Sequence, residues 1–191
     1  MNLNKTAPVS HPVIDIIRQR WSPRSFSAKQ ISQTQMDSVM EAARWSASCA
    51  NEQPWKYYYA FHGTPGFEKL LDCLSGGNQP WCKNASVLII AATRRTNEKD
   101  GKINEWAEHD LGLANAQLLL QSTSMGIYGH PMAGFDKVKA SESLDLEEDV
   151  QPICAIALGF LDDADKLEEP FRSREKAVRT RKEIGEFTQV V

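Results

Sequence analysis

The sequence contains few cysteines and no pattern that would group them around a metal. Four occur among 191 residues: Cys49, Cys73, Cys82 and Cys154. None belongs to a C-x-x-C pair and no histidine cluster accompanies them, so a structural zinc site is not expected. We therefore expect free thiols and a reducing compartment, the cytoplasm.

An excess of positive charge and long apolar runs are also missing. Lys and Arg number 22 against 25 Asp and Glu, a formal net charge of −3, so no nucleic-acid partner is expected. No apolar stretch approaches the length of a membrane span, and the polar stretch Met1 to Ser10 predicts a short N-terminal arm. The length suits a single domain over residues 1–191, large enough to bury a core.

Several signatures of known catalytic sites are absent as well. The sequence has no G-x-G-x-x-G after a strand, no G-x-x-x-x-G-K-[ST], no G-x-S-x-G and no H-E-x-x-H. It therefore gives no sign of a Rossmann nicotinamide domain, a P-loop, a serine-hydrolase elbow or a zinc-protease helix. A nicotinamide, if one is used, would have to enter the site of another cofactor.

The patterns that are present predict helices interleaved with a few strands. His11-Pro12 is expected to open a first helix, and Ser32 with Gln35 forms a capping-box pattern for a second. Further elements are expected as strands at Tyr57 to Phe61, Val87 to Ala92 and Ile153 to Phe160, and as helices at Phe67 to Leu74 and Asn104 to Met125, the last ended by Gly126. The long helix is apolar on more than one face, which indicates the core or a subunit interface. This order predicts an α+β fold in which helices cover a small sheet.

The first candidate binding segment is Arg20-Trp21-Ser22-Pro23-Arg24-Ser25-Phe26. It brings together two guanidinium groups and two hydroxyls just after the first predicted helix. Both kinds of group form hydrogen bonds with phosphate, and those from guanidinium are charge-assisted. A solvated basic loop is the alternative that the same residues allow.

The second candidate segment is Ser46 to Trp55. Its small residues would let the backbone approach a flat ligand, and Asn51 and Gln53 bring carboxamides that both donate and accept hydrogen bonds. Pro54 fixes the turn into the following strand. An ordinary helix-to-strand loop is the alternative interpretation.

Two weaker candidates lie nearer the C-terminus. Gly129 to Asp136 is a glycine-rich loop expected after a short strand, and His130 within it is expected to be structural; a plain turn is the alternative. Arg179 to Lys182 places three cations in four residues of a charged tail, residues 170–191. They could complete a phosphate clamp or simply be solvated.

Taken together and in this order, the four segments resemble the nitroreductase family of FMN enzymes. The family pattern is R-x-S-x-R-x-F, then P-S-x-x-N-x-Q-P-W, then G-x-P-x-x-G-F-D, then an arginine-rich C-terminal segment. The matching positions here are Arg20, Ser22, Arg24, Phe26, Ser48, Asn51, Gln53, Pro54, Trp55, Gly129, Pro131, Gly134, Phe135 and Asp136. Asp110 to Ala114 also looks like the central helix of the family, and the resemblance spans roughly His11 to Glu186.

The resemblance implies a fold, an assembly and an activity. The expected fold is an α+β nitroreductase-like sandwich with a small mixed or antiparallel sheet, assembled as an intertwined homodimer with FMN at the subunit interface. The expected activity passes electrons from NADH or NADPH to a small organic acceptor, nitroaromatic or quinone-like, in a ping-pong cycle. The flavin would carry the chemistry, so no catalytic side chain and no metal are expected.

The resemblance also implies which residues hold the cofactor. Those expected around the FMN phosphate and ribityl chain are Arg20, Trp21, Ser22 and Arg24, closed from the tail by Arg179 and Arg181. Those expected to line the flavin are Ser48, Cys49, Asn51, Gln53, Asn78 and Pro131, with Ala133 and Gly134 offering backbone N–H groups near the flavin N5 and O4.

Three departures from the family pattern leave the substrate pocket open. Ala47 replaces the proline usual before the loop serine, Ala133 stands where some members carry glutamate, and Trp21 follows Arg20 where a second basic residue is common. Three alternatives therefore stay beside the main interpretation. One is a specialised reductive dehalogenase or flavin-modifying enzyme, with Thr93 to Ile103 as a lid or a plain surface loop. The second is a flavin-binding or redox-sensing protein with little turnover. The third is an α+β protein that binds no flavin.

Overall fold

The computed structural model describes residues 5–191, so Met1 to Asn4 of the predicted arm lie outside the described residues. The helices and strands are, in chain order, α1 (Asp15–Gln19), α2 (Gln33–Arg44), β1 (Trp55–Phe61), α3 (Pro65–Asp72), α4 (Gln79–Cys82), β2 (Val87–Arg94), α5 (Ala107–Ser124), β3 (Tyr128–Met132), α6 (Lys137–Ser143), β4 (Val150–Gly159) and α7 (Phe171–Lys176). Short 3₁₀ turns occur at Cys49–Asn51, Ala164–Lys166 and Ile184–Glu186. Within this described range, no helix combines the length and apolar character needed to cross a bilayer.

The four strands form one antiparallel sheet in the order β1-β2-β4-β3. β2 and β4 are central, while β1 and β3 are the two edges. β2 is buried along almost its whole length, which explains why its sequence is a continuous apolar run rather than an alternating pattern. The predicted α+β fold is confirmed, and its sheet is antiparallel.

Side chains of β2 alternate between two apolar layers. Val87, Ile89 and Ala91 belong to the cluster that includes α2 and α5. Leu88 and Ile90 belong to the opposite cluster, with α3 and α4. Because successive side chains of a strand point to opposite faces, the sheet forms a middle layer between two groups of helices.

The two longest helices begin and end largely as their sequences predict. Ser32 and Gln35 form the complete capping box at the start of α2. Gly126 follows the end of α5 with φ of 72°, a conformation that glycine adopts without strain. One face of α5 lies in the core, but Leu113 on another face is 39% exposed. The apolar character of α5 therefore exceeds what the core of one chain uses.

The start of the first helix is wrong in the sequence prediction. α1 begins at Asp15, not at His11-Pro12, and Ile14 before it is extended, with φ of −59° and ψ of 145°. The Asp15 carboxylate lies in the first turn, where the helix dipole favours negative charge. Val13 and Ile14, which lie between that predicted start and the helix, are exposed.

The glycine-rich segment from Gly129 is also assigned differently by the structure. Its first four residues belong to β3 itself, and only the residues after Met132 form the loop. Pro131 is tolerated because β3 is an edge strand, where a missing N–H need not break a ladder bond. Gly129 is closely packed, since a Cβ there would lie 2.3 Å from Leu119 Cδ2 and 2.9 Å from Leu158 Cδ2, and both leucine side chains would have to shift.

Other predicted boundaries shift by a few residues. The short helix α3 starts at Pro65 rather than Phe67, because Thr64 caps it. The polar segment considered as a lid is partly strand: β2 extends through Arg94, and Thr96 then pairs with Ile103 across a short turn. The charged tail is not wholly solvated, since it contains α7 and one buried residue, Glu175.

Candidate functional site

The segment from Arg20 to Phe26 has no regular secondary structure, yet contacts from distant parts of the chain hold it in place. The His130 ring, through Nδ1, donates to the carbonyl of Pro23 at 2.9 Å. The hydroxyl of Ser25 donates to the carbonyl of Asp163 at 2.7 Å. Strand β3 and the chain after β4 therefore fix the path of this segment, which sequence analysis identified as the first candidate.

His130 serves as a neutral anchor. Its ring lies 4.7 Å from the ring of Trp81, centroid to centroid. Burial lowers the pKa of His130 from 6.5 to about 4, although the bond to the Pro23 carbonyl opposes that change. A carbonyl can only accept, so Nδ1 carries the proton of the neutral ring. This agrees with the structural role expected from the sequence.

Acid should therefore destabilise the protein through His130. Below about pH 6.5 the unfolded chain binds a proton at this residue, while the folded chain does so only near pH 4, so stability falls as the pH drops between these values. We expect a loss of roughly 2–3 kcal/mol. The free energy of urea unfolding should show the wild type losing more than His130→Gln between pH 7 and pH 4.5. An equal loss in both proteins would contradict this assignment.

Three guanidinium groups from the two ends of the chain lie close together: those of Arg20, Arg179 and Arg181. The pKa of Arg20 is lowered by burial and by the positive charges of the other two. The pKa of Arg179 is lowered by burial and by Arg181. In the described part of the chain, no ion pair joins any of the three to a carboxylate. We call these three residues the arginine cluster.

The N-terminal arm and the C-terminal tail are tied together beside the arginine cluster. Arg179 Nη1 donates to the carbonyls of Lys5, at 2.6 Å, and Arg18, at 3.0 Å. In return, Lys5 Nζ donates to the carbonyl of Ala177. The Lys5 ammonium also lies 5.4 Å from the centre of the Trp21 ring. Lys5 of the N-terminal arm thus fixes the backbone of the C-terminal tail just before Arg179.

Arg24 differs from the arginine cluster because its charge is compensated within the protein. Its pKa is lowered mainly by burial, and the nearby carboxylate of Glu175 opposes that shift. The guanidinium carbon lies 5.8 Å from the centre of the Trp81 ring. The Arg24 guanidinium therefore lies near the Glu175 carboxylate and an aromatic face, whereas the side-chain contact found for Arg20 among the described residues is with Ser22 Oγ at 3.5 Å.

The loop after β3 is fixed by Asn78 and Ser75. The carbonyl of Gly134 accepts from Asn78 Nδ2 at 2.9 Å and from the Ser75 backbone N–H at 3.0 Å. A Cβ at Gly134 would lie 2.7 Å from Asn78 Nδ2, so the residue must be glycine for the contact to form. Ala133 beside it is exposed. Asn78 therefore positions the loop in which Ala133 and Gly134 lie.

The loop before β1, from Ser46 to Pro54, has an unusual backbone. Ala50, Asn51 and Gln53 have positive φ values of 50°, 58° and 48°, which is uncommon for residues other than glycine. Ser48 Oγ accepts from the Gln53 N–H at 3.1 Å. Three such residues in one exposed loop indicate a conformation that the surrounding structure imposes.

Asp110 of α5 holds the same loop through a hydrogen bond to its backbone. It is 2% exposed, and its Oδ2 accepts from the Cys49 backbone N–H at 2.9 Å. Its Oδ1 lies 3.0 Å from His109 Nδ1. The sequence signalled Asp110 only as part of a helix pattern. The one indication in the sequence was that Asp110 is an acidic residue among apolar helix positions, where a buried carboxylate needs a hydrogen-bond donor.

Within one chain, the predicted site residues form two groups that do not meet. The first group surrounds β3 and contains Arg20 to Arg24, Asn78, Pro131 to Gly134, Arg179 and Arg181. The second is the loop from Ser48 to Gln53, which leads directly into β1. Because β1 and β3 are opposite edges of a four-stranded sheet, three strand spacings of about 4.8 Å, or about 14 Å in all, separate them.

Comparison with known proteins agrees with this fold. A structure described as an oxidoreductase containing FMN superposes with a TM-score of 0.88 at 28% identity, covering 98% of this chain and 99% of its own. A nitroreductase family protein from Streptococcus pneumoniae TIGR4 superposes with a TM-score of 0.73 at 22% identity, covering 92% and 98%. At that lower identity, the likeness shows the fold alone.

Sequence comparison points in the same direction. The major NAD(P)H-flavin oxidoreductase of Aliivibrio fischeri is 28% identical over 96 residues, which are 48% of this chain and 44% of that protein. The sequence pattern of the nitroreductase family matches residues 17–75 and 65–160. These ranges cover more than half of the chain and include the first three candidate segments. The chain therefore belongs to the nitroreductase family of oxidoreductases.

Proposed function

We propose that this protein binds FMN and passes electrons from NADH or NADPH to a small organic acceptor, nitroaromatic or quinone-like. The observation that carries the proposal is the arginine cluster. Guanidinium groups that crowd together repel one another, and a bound anion relieves that repulsion. The terminal phosphate is the part of FMN that suits the arginine cluster, because two phosphate oxygens can accept two parallel hydrogen bonds from one guanidinium group.

The second group of residues would meet the flavin ring. Asn51 and Gln53 carry carboxamides that match the mixed donors and acceptors along a flavin edge. Ser48 and Cys49 are small enough to let the loop approach the ring, and Asp110 holds the loop through the Cys49 N–H. From the other side, Ala133 and Gly134 would offer backbone N–H groups.

We further propose that the two groups meet across a homodimer. One chain would supply the residues around β3 that hold the phosphate, and its partner would supply the loop from Ser48 to Gln53, which we call the ring loop. The separation of the groups within one chain supports this arrangement. So do apolar side chains that a single chain leaves exposed at two helices in contact, α1 and α5. Ile17 of α1 is 46% exposed, Leu113 of α5 is 39% exposed, and Ile14 just before α1 is 65% exposed. Exposed apolar patches of this kind are typical of interfaces. The exposed, unpaired Cys49 supports a reducing compartment such as the cytoplasm.

Bound FMN would supply the hydride chemistry, and the protein would bind, orient and stabilise. The arginine cluster would hold the phosphate, and the backbone N–H groups of Ala133 and Gly134 would face the part of the ring where negative charge develops on reduction. Without a nicotinamide domain of its own, the chain would admit NADH or NADPH and the acceptor to one surface in turn. That order of binding is ping-pong.

The visible spectrum of the purified protein tests the proposal. We expect a yellow protein with flavin absorption, and FMN released on denaturation. Anaerobic addition of NADH or NADPH should bleach the colour within seconds, and a nitroaromatic or quinone should restore it. A stable yellow colour would favour a flavin-binding protein with little turnover, and a protein that stays colourless after FMN is added would refute flavin binding.

A further inference from the structure

Glu175 is a buried carboxylate that the proposed chemistry does not use. It lies in α7 and is 2% exposed. Its two oxygens accept from the Arg24 backbone N–H at 2.9 and 3.1 Å, and Oε1 also accepts from the Ser25 N–H at 3.1 Å. Both N–H groups belong to the first candidate segment, about 150 residues earlier in the chain. The carboxylate therefore joins two distant parts of the sequence.

Keeping this carboxylate buried is costly. Burial raises the pKa of Glu175, although the two backbone N–H groups and the charges of Arg24 and Lys5 oppose the shift. A buried carboxylate is kept charged only where hydrogen bonds and cations compensate it. A glutamine or an apolar residue would avoid the burial of charge but would leave a backbone N–H of Arg24 or Ser25 without its full set of acceptors, so the carboxylate is tied to holding this backbone segment.

The position of Glu175 along the chain shows which parts of the molecule it connects. The chain leaves α7 directly after it and reaches Arg179 four residues later and Arg181 two residues after that. Glu175 therefore fixes the C-terminal tail, which carries Arg179 and Arg181, to the backbone of the segment that carries Arg20. These are the two sources of the arginine cluster.

Glu175 also divides the cations of this region into two sets. Arg24 and Lys5 lie close enough to its carboxylate for their charges to shift its pKa. Among residues 5–191, no carboxylate is found to shift the pKa of Arg20 or Arg179 in this way. The carboxylate thus lies near Arg24 and Lys5, and the arginine cluster is left to bind an anion.

We propose that Glu175 is a positioning residue that assembles the phosphate site from the two ends of the chain without touching the phosphate. This inference rests on the proposed function. It assigns Glu175 to the phosphate end of FMN only, so its removal should spare contacts with the flavin ring.

The test compares FMN with riboflavin, which lacks the phosphate, in apoprotein carrying Glu175→Gln. Either orientation of the new amide sets an N–H donor against the Arg24 N–H. We expect FMN affinity to fall about tenfold and riboflavin affinity to change less than about twofold. Glu168→Gln, the same change at an exposed position, is the matched control and should leave both affinities unaltered. Flavin fluorescence quenching measures both ligands.

A second measurement uses the wild type and so does not depend on the folding of a variant. The amides of Arg24 and Ser25 should already be protected from hydrogen exchange in the apoprotein, because Glu175 binds them without FMN. Fast exchange in the apoprotein, with protection only after FMN is added, would overturn the inference.

Other outcomes separate the inference from the proposed function. Unchanged or tighter FMN binding by Glu175→Gln, or an equal loss for FMN and riboflavin, would overturn the positioning role alone. Wild-type protein that binds neither flavin would overturn the proposed function itself.

Discussion

Arg20→Ala is expected to weaken FMN binding about 100-fold, roughly 3 kcal/mol, while riboflavin binding changes less than about threefold. Arg20 is a half-buried member of the arginine cluster, and its burial strengthens an interaction with phosphate that water would otherwise screen. Within the described part of the chain its side chain pairs with no carboxylate, so the loss should appear in ligand affinity rather than in folding. Titration of the apoprotein with each flavin, followed by fluorescence quenching, measures the difference.

Arg44→Ala provides the control for net charge. Arg44 lies at the exposed end of α2 and pairs with Glu41 at 2.8 Å, so its removal changes the total charge equally but leaves the cluster intact. Arg20→Lys should fall between the wild type and Arg20→Ala, because it keeps the charge and loses the bidentate fork. Equal effects of Arg20→Ala and Arg44→Ala, or equal losses for the two flavins, would argue against a phosphate site at Arg20.

Local patterns in the sequence predict much of the fold. The capping box at Ser32, the apolar run of β2 and Gly126 after α5 each depend on residues within a few positions of one another, and each prediction is confirmed. The start of α1 and the extent of β3 were wrong. Proline next to a polar residue does not by itself start a helix, and Pro131 in an edge strand looks, in sequence, like a loop.

The candidate site was predictable in composition but not in assembly. The sequence marks Arg20, Arg179 and Arg181 as candidate phosphate ligands, and the structure brings the three together. The sequence could not indicate a role for Glu175. The partners of that carboxylate are backbone N–H groups about 150 residues away, and a backbone N–H is present whatever the side chain is. The role of Lys5 could not be predicted for the same reason, because its partner is also a backbone group, the carbonyl of Ala177.

The backbone conformation of the ring loop, Ser48 to Gln53, likewise could not be predicted from the sequence. Asn51 is a residue type that tolerates positive φ, but nothing local predicts that Ala50 and Gln53 adopt it too. The loop keeps this conformation because Asp110, on a helix some 60 residues later, accepts from the Cys49 N–H. Sequence patterns identify which side chains the loop offers, and tertiary contacts decide where they point.

A heterodimer test follows from the separation of the two groups in one chain. One protomer carries Arg20→Ala, which removes the phosphate contact, and the other carries Asn51→Ala with Gln53→Ala, which removes the ring contacts. Each homodimer has a lesion in every site. If sites form across the interface, the heterodimer has one site with both lesions and one with none. We expect it to bind about one FMN per dimer tightly and to show about half of the wild-type rate of bleaching by NADH or NADPH.

The decisive comparison places the same substitutions in one protomer and pairs it with a wild-type protomer. Across an interface, that arrangement leaves a lesion in each of the two sites, so no site is intact and tight FMN binding should disappear. If instead each chain formed its own site, the wild-type protomer would keep one intact site and the divided arrangement would have none. The two heterodimers contain identical residues and differ only in which chain carries them. Folding defects and net charge therefore cancel, and the order of their FMN contents decides whether one flavin is held by two chains.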